Sequence, residues 1–110
     1  ELCAGVCEKE DDSPLISAQR ELLEETGYGN GNWQEYMVIS PNPSTHTNTT
    51  YCFLATDVEL ISSQHLEDTE DLTVHLFTLE EVKQLLLDNE IIQSLHAAPL
   101  WKYIAEQRLT

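Results

Sequence analysis

Basic residues are the scarcest class in this chain: 5 Lys and Arg stand against 20 Asp and Glu in 110 residues, a net charge of −15. Nucleic-acid binding by phosphate neutralisation needs clustered Lys and Arg, and no cluster occurs, so nucleic acid is excluded as a partner. Cysteine is nearly as rare. Cys3, Cys7 and Cys52 form an odd set without C-x-x-C spacing, which excludes a disulfide framework and reads as buried thiols in a reducing, cytoplasmic compartment. A zinc centre built on Cys3, Cys7 and a histidine lacks a second pair of ligands at metal spacing. No apolar run approaches the roughly 20 residues that cross a membrane, and no secretory pattern is present, so no membrane is expected as a partner. An initial Met is also missing, and Glu1-Leu2 reads as the middle of a strand. The length suits one small domain. The expectation is a single domain over residues 1–110, incomplete at its N-terminus, with an exposed sheet edge or apolar face where upstream strands belong.

What is present organises the chain clearly. Glu1 to Cys7 reads as a strand end, followed by an acidic loop through Asp12. Ser13 can cap a helix through its hydroxyl, and Pro14 suits the first helical position because its missing N–H is not needed there. The helix is predicted over Pro14 to Thr26. Gly27 then takes the left-handed conformation and lets Tyr28 fold back onto Leu23, and Gly27 to Asn32 form a turn. Strands are expected at Trp33 to Ile39 and Tyr51 to Val58, joined by a long polar loop over 40–50. Ser62 to Asp71 is a second acidic loop, leading to a strand over Leu72 to Phe77. Thr78-Leu79-Glu80-Glu81 is a capping box that starts a helix with Val82, Leu85 and Leu86 as its apolar stripe and Asn89 as its stop. Ile91 to Gln107 is predicted helical, with Pro99 starting or kinking it.

The chemistry concentrates in the first helix. Glu21, Glu24 and Glu25 occupy i, i+3 and i+4, directly after Arg20, and so share one helix face. Leu15, Ile16, Ala18, Leu22 and Leu23 fall opposite, which predicts a buried apolar face and an exposed carboxylate face. Like charges at this spacing repel by about 0.2–0.5 kcal/mol per pair. A hard divalent cation relieves that repulsion, since Mg²⁺ takes carboxylate oxygens and keeps positions for water and phosphate. A solvated acidic face on a very acidic protein is the plainer reading of the pair Glu24-Glu25 alone.

The wider stretch decides between them. Gly5-Val6-Cys7-Glu8-Lys9-Glu10-Asp11-Asp12-Ser13-Pro14-Leu15-Ile16-Ser17-Ala18-Gln19-Arg20-Glu21-Leu22-Leu23-Glu24-Glu25-Thr26-Gly27-Tyr28 closely resembles the Nudix box, G-x5-E-x7-R-E-U-x-E-E-x-G-U, where U is aliphatic or aromatic. Arg20 to Tyr28 matches at every specified position. The first half departs. Counting back from Arg20 puts Asp12 where the family has Glu and Val6 where it has Gly. One inserted residue near Ser13 instead aligns Glu1-Leu2-Cys3-Ala4-Gly5 with the E-L-P-A-G of ADP-ribose pyrophosphatase-like members, and Glu10-Asp11 then replaces the family's Gly-Glu. Whether Asp11 or Asp12 stands for the first family glutamate is left open. Beyond the box the likeness rests on Pro41-Asn42-Pro43, Tyr51 to Ala55 and Glu70 to His75.

The resemblance implies an α/β Nudix fold, an α/β/α sandwich with a mixed sheet. It also implies metal-dependent hydrolysis of the pyrophosphate bond in a small-molecule nucleoside diphosphate derivative, of the ADP-ribose or nucleotide-sugar type, with Mg²⁺ or Mn²⁺. Under it, Glu21 and Glu25 match metal ligands, Glu24 a ligand or close neighbour, and the Ala4 carbonyl a backbone ligand. Arg20 orients the carboxylates through charge-assisted hydrogen bonds. The general base is a box glutamate or a late-loop acid, for which Glu67 and Glu70 are the candidates. A homodimer is compatible with this reading. The rivals are a catalytically weak Nudix domain that binds a nucleotide or a protein, and a purely structural acidic domain. His46, His65, His75 and His96 carry no supporting pattern, although His46 lies in the long loop and could meet phosphate or a base edge. Trp33, Tyr36, Tyr51 and Phe53 read as core strand residues, and Trp101 and Tyr103 as packing a helix onto the sheet.

Overall fold

The computed structural model describes residues 2–4, 12–40, 49–63 and 73–109. They fall into two compact units, Leu2–Glu35 with Phe53–Val74 and Tyr36–Cys52 with His75–Thr110. Helices and short strands make up both, the α/β class that the family resemblance implies. Among the described residues the strands form two separate two-stranded sheets.

Helix α1 (Pro14–Thr26) runs between the two ends predicted for it. Ser13 is extended (φ −162°, ψ 163°) and its Oγ accepts from the Ile16 amide at 3.3 Å, with Pro14 in the first turn. At the far end Gly27 sits at φ 81° and donates to the Leu23 carbonyl at 2.9 Å. The Tyr28 amide turns to Thr26 Oγ1 at 3.1 Å. Gly27 is required here for two reasons. A side chain at that φ is strained, and a Cβ would meet the Ser62 carbonyl oxygen at 2.0 Å.

Past Gly27 the chain does more than turn. β1 (Tyr28–Gly29) pairs antiparallel with β4 (Glu59–Leu60), Tyr28 opposite Leu60 and Gly29 opposite Glu59. The Ile61 and Ser62 amides both donate to the Gly27 carbonyl, at 2.9 and 3.1 Å. A ladder of two residues has no periodicity to read, which is why the sequence pattern showed only a turn. β2 (Asn32–Ile39) and β3 (Thr50–Thr56) form the second pair. β3 stops two residues short of the predicted end, where Asp57 takes φ 57°. The loop between β2 and β3 that holds His46 lies outside the described residues, apart from its edges.

Two predicted strands do not form among the described residues. Leu2–Ala4 is irregular and exposed, and residues 73–78 are irregular as well. Strand-like composition is not enough without a neighbour to take the backbone groups, and neither segment has a ladder partner among the described residues.

In the second unit, α2 (Leu79–Leu87) has both halves of its capping box. The Glu81 amide reaches Thr78 Oγ1 at 3.2 Å, and the Thr78 amide reaches Glu81 Oε1 at 2.8 Å. Asn89 at φ 59° ends it. α3 (Ser94–Leu109) starts three residues later than predicted and runs through Pro99. That proline cannot donate to the Leu95 carbonyl. Leu86 and Ile104 are the deeply buried apolar side chains, each 4% exposed. Tyr103 meets the Tyr36 ring at 6.4 Å between centroids, so it packs as expected, whereas Trp101 and Tyr51 stay exposed. Leu76, Phe77 and Ile92 are exposed as well.

Candidate active site

Because α1 begins and ends where its caps dictate, Arg20, Glu21, Glu24 and Glu25 come to one side as their spacing requires. Arg20 NH1 donates to Glu21 Oε1 at 2.9 Å and to Glu24 Oε2 at 3.2 Å. One guanidinium nitrogen thus serves two carboxylates a helical turn apart. These are bonds through which Arg20 would orient the carboxylates, as the resemblance implies. Cys3 Sγ donates to Glu25 Oε2 at 2.7 Å, drawing Leu2–Ala4 against the same face of α1.

The face is not open in the way the spacing suggested. Ser17, one turn before Glu21, is the buried residue of α1, and the Glu21 side chain is only 17% exposed against 43% for Glu24. Ile16, assigned to the buried stripe, is 43% exposed. On the carboxylate side, Arg20 bridges Glu21 and Glu24 and the Cys3 thiol meets Glu25. Cys3 itself is exposed rather than buried, and Cys52 is half-buried, so the reading of Cys3 as a buried thiol is corrected. Cys7 lies outside the described residues.

The electrostatics follow from this crowding. Glu21 is held above its usual carboxylate range, first by its own burial. The Arg20 hydrogen bond and charge oppose that, while the negative charges of Glu25 and Glu24 add to it. The Cys3 thiol is pushed well above its ordinary value, first by desolvation, then by the Glu25 hydrogen bond and the charges of Glu25 and Glu21. The residue as a whole is exposed while its sulfur is desolvated; for thiol ionisation the sulfur's surroundings govern. Desolvation disfavours charge of either sign, whereas the part of these shifts that comes from neighbouring carboxylates would be relieved by a cation beside them.

The donor set suits a hard divalent ion: carboxylate oxygens in quantity and a backbone carbonyl at Ala4. Among the described residues, no three His, Cys, Asp or Glu side chains gather to form a cage by themselves. Mg²⁺ does not ask for one, since it is held through one or two carboxylates with waters and substrate phosphates. Glu21 and Glu25 both face Cys3 electrostatically. Ala4 follows Cys3 in an exposed, irregular segment. Glu67 and Glu70, and the acids Asp11 and Glu10 of the degenerate box start, lie outside the described residues. Asp12 is exposed just before the Ser13 cap. What sequence reasoning passed over is the contact of Cys3 with Glu25. The place of Cys3 beside Ala4 in the aligned Glu1-Leu2-Cys3-Ala4-Gly5 was the signal that could have found it.

Residues 1–98 match the NUDIX domain. The ADP-ribose pyrophosphatase of Mycobacterium tuberculosis (strain ATCC 25618 / H37Rv) is 27% identical over 99 residues, covering 89% of this chain and 48% of that protein. The chain therefore spans about half the length of this curated relative.

Proposed function

This chain belongs to the Nudix family, and on that premise we propose that it hydrolyses the pyrophosphate bond of a nucleoside diphosphate linked to another moiety. The substrate class is ADP-ribose or a nucleotide sugar, and the cofactor is Mg²⁺ or Mn²⁺. The observation that carries this reading is the Arg20–Glu21–Glu24 bridge with Glu25 beside it, an arrangement that keeps carboxylates together where their own repulsion disfavours it. The name of the mycobacterial relative supports the substrate class.

Each residue has a part. Glu21 and Glu25 would hold the divalent ion with the Ala4 carbonyl, and Glu24 would be a ligand or neighbour. Bound there, the ion supplies charge neutralisation for the diphosphate and a water of lowered pKa. Arg20 keeps the carboxylates oriented, and its charge offsets part of their mutual repulsion. Glu24, Glu25, Glu67 and Glu70 are the candidates for the group that takes the proton from the attacking water. The protein's net charge of −15 repels a diphosphate, so without a cation the substrate does not bind. The cytoplasm is the proposed location, where free thiols such as Cys3 and Cys52 persist. No helix among the described residues is long and apolar enough to cross a membrane. A homodimer is compatible with this reading, and light scattering tests it.

The deciding experiment measures Mg²⁺-dependent release of nucleoside monophosphate from ADP-ribose and nucleotide sugars, for wild type and Glu25→Gln. The variant changes charge and hardly any volume, so circular dichroism should show an intact fold while turnover falls by about a hundredfold. Wild-type turnover by a folded Glu25→Gln protein would sink the catalytic reading. A large fall in turnover with unchanged metal affinity in Glu67→Gln or Glu70→Gln would assign the base to that residue. One observation favours a second reading, a catalytically weak domain that binds a nucleotide or a protein: Glu10-Asp11 stands where the family has Gly-Glu. Nucleotide binding without turnover would select it.

A further inference from the structure

Resting on the metal-dependent reading above, we propose that Cys3 is a positioning residue, whose thiol hydrogen bond to Glu25 Oε2 holds that carboxylate in the orientation that takes the divalent ion. Cys3 and Glu25 are 22 residues apart in the chain, yet sulfur and oxygen stand 2.7 Å apart. Leu2–Ala4 forms no ladder among the described residues, so this side-chain contact is a tether between the segment and α1. The thiol gives Glu25 Oε2 a fixed donor. Glu25 sits in the last turn of α1, and a glutamate side chain has several rotamers to lose before it can ligate. Glu21 and Glu24 have Arg20 NH1 for that purpose, and Cys3 does the same for Glu25.

Hydrogen-bond partners of metal-ligating carboxylates fix their orientation, and losing one weakens metal affinity by about 10- to 100-fold. The same contact brings the residue before Ala4 to Glu25, so the thiol links the segment carrying the proposed backbone ligand to the proposed carboxylate ligand. A hydroxyl at the same position, also a donor, would keep the tether.

The test uses the full chain and Mn²⁺ alone, with free ion counted by electron paramagnetic resonance and no substrate present. Cys3→Ala should bind Mn²⁺ about 10-fold more weakly than wild type, whereas Cys3→Ser should stay within about threefold. Wild-type affinity in Cys3→Ala overturns the proposal, and so does a Cys3→Ser protein as weak as Cys3→Ala, because a donor would then not be what matters. Glu25→Gln separates the two levels: unchanged Mn²⁺ affinity in that variant overturns the metal reading itself, and this proposal with it. In the metal-free protein, the carboxyl ¹³C resonance of Glu25 should move in Cys3→Ala and hold in Cys3→Ser. A resonance indifferent to both substitutions would show that the tether does not exist in solution.

Discussion

Glu21 in α1 and Glu81 in α2 are the same side chain on two helices, and their carboxyls are driven in opposite directions. Glu81 lies in a first helical turn, exposed, accepting the Thr78 amide. That hydrogen bond lowers its pKa, and its charge also suits the positive end of the helix. Glu21 lies mid-helix, half-covered, with Glu24 and Glu25 beside it, and it is raised in spite of Arg20. One charge supports the helix it belongs to; the other is tolerated against the helix's own stability. Crowding of this kind is what the proposed cation site would relieve. The second unit holds a further example of the supporting kind. Glu106 accepts from the Tyr36 hydroxyl and from Lys102 Nζ while that ammonium lies 3.6 Å from the Tyr36 ring centroid. Glu106 is lowered accordingly, first by the Tyr36 hydrogen bond, and Tyr36 is pushed up to about 12, first by burial and then by Glu106.

The sharpest way to test the contrast is at the ends of the two helices. Gly27→Ala combines a left-handed backbone with a Cβ 2.0 Å from the Ser62 carbonyl oxygen. It should destabilise the protein by about 2–4 kcal/mol in urea denaturation. Asn89, which ends α2 at φ 59°, is exposed and already carries a side chain. Asn89→Gly should therefore change stability by no more than about 0.5 kcal/mol. Equal effects at the two positions would mean that α1 is not the more tightly stapled helix.

Thr78→Ala comes next. It removes one arm of the capping box on α2 and should lose about 1 kcal/mol, with turnover unchanged. A turnover loss larger than the stability loss explains would break the division between a supporting acid and a functional one.

A third test turns on the sign of the titrations. Glu21 is raised in the folded state, so its contribution is present at low pH and is lost as pH rises from the ordinary glutamate range through the raised value. Glu21→Gln, metal-free, should remove that loss, so that relative to wild type the variant gains stability at pH 7 over pH 4. Glu81 and Glu106 are lowered, so their contributions are present above the usual range and fade as pH falls through their folded values. Glu81→Gln should accordingly weaken the protein at neutral pH and make it less sensitive to acid. Urea titrations across that pH range read both. If Glu21→Gln and Glu81→Gln behave alike, the comparison fails.

What was legible in the sequence is what depends on neighbours a few residues away. The Ser13 cap, Pro14, the i, i+3, i+4 carboxylates and Gly27 specify α1 and its chemistry because helix bonds and caps close over three or four residues. The Thr78 capping box marked α2 in the same way. Residues that must find distant partners were not legible. The strand composition of Glu1 to Cys7 and of Leu72 to Phe77 promised pairing that no described strand supplies, while Tyr28–Gly29 found Glu59–Leu60 across 30 to 32 positions with no periodicity to announce it. The glutamates and Arg20 were named by spacing alone. Which side of α1 is covered, and that the thiol of Cys3 meets Glu25, were decided only by the fold, because burial and a contact across 22 residues depend on where the rest of the chain goes.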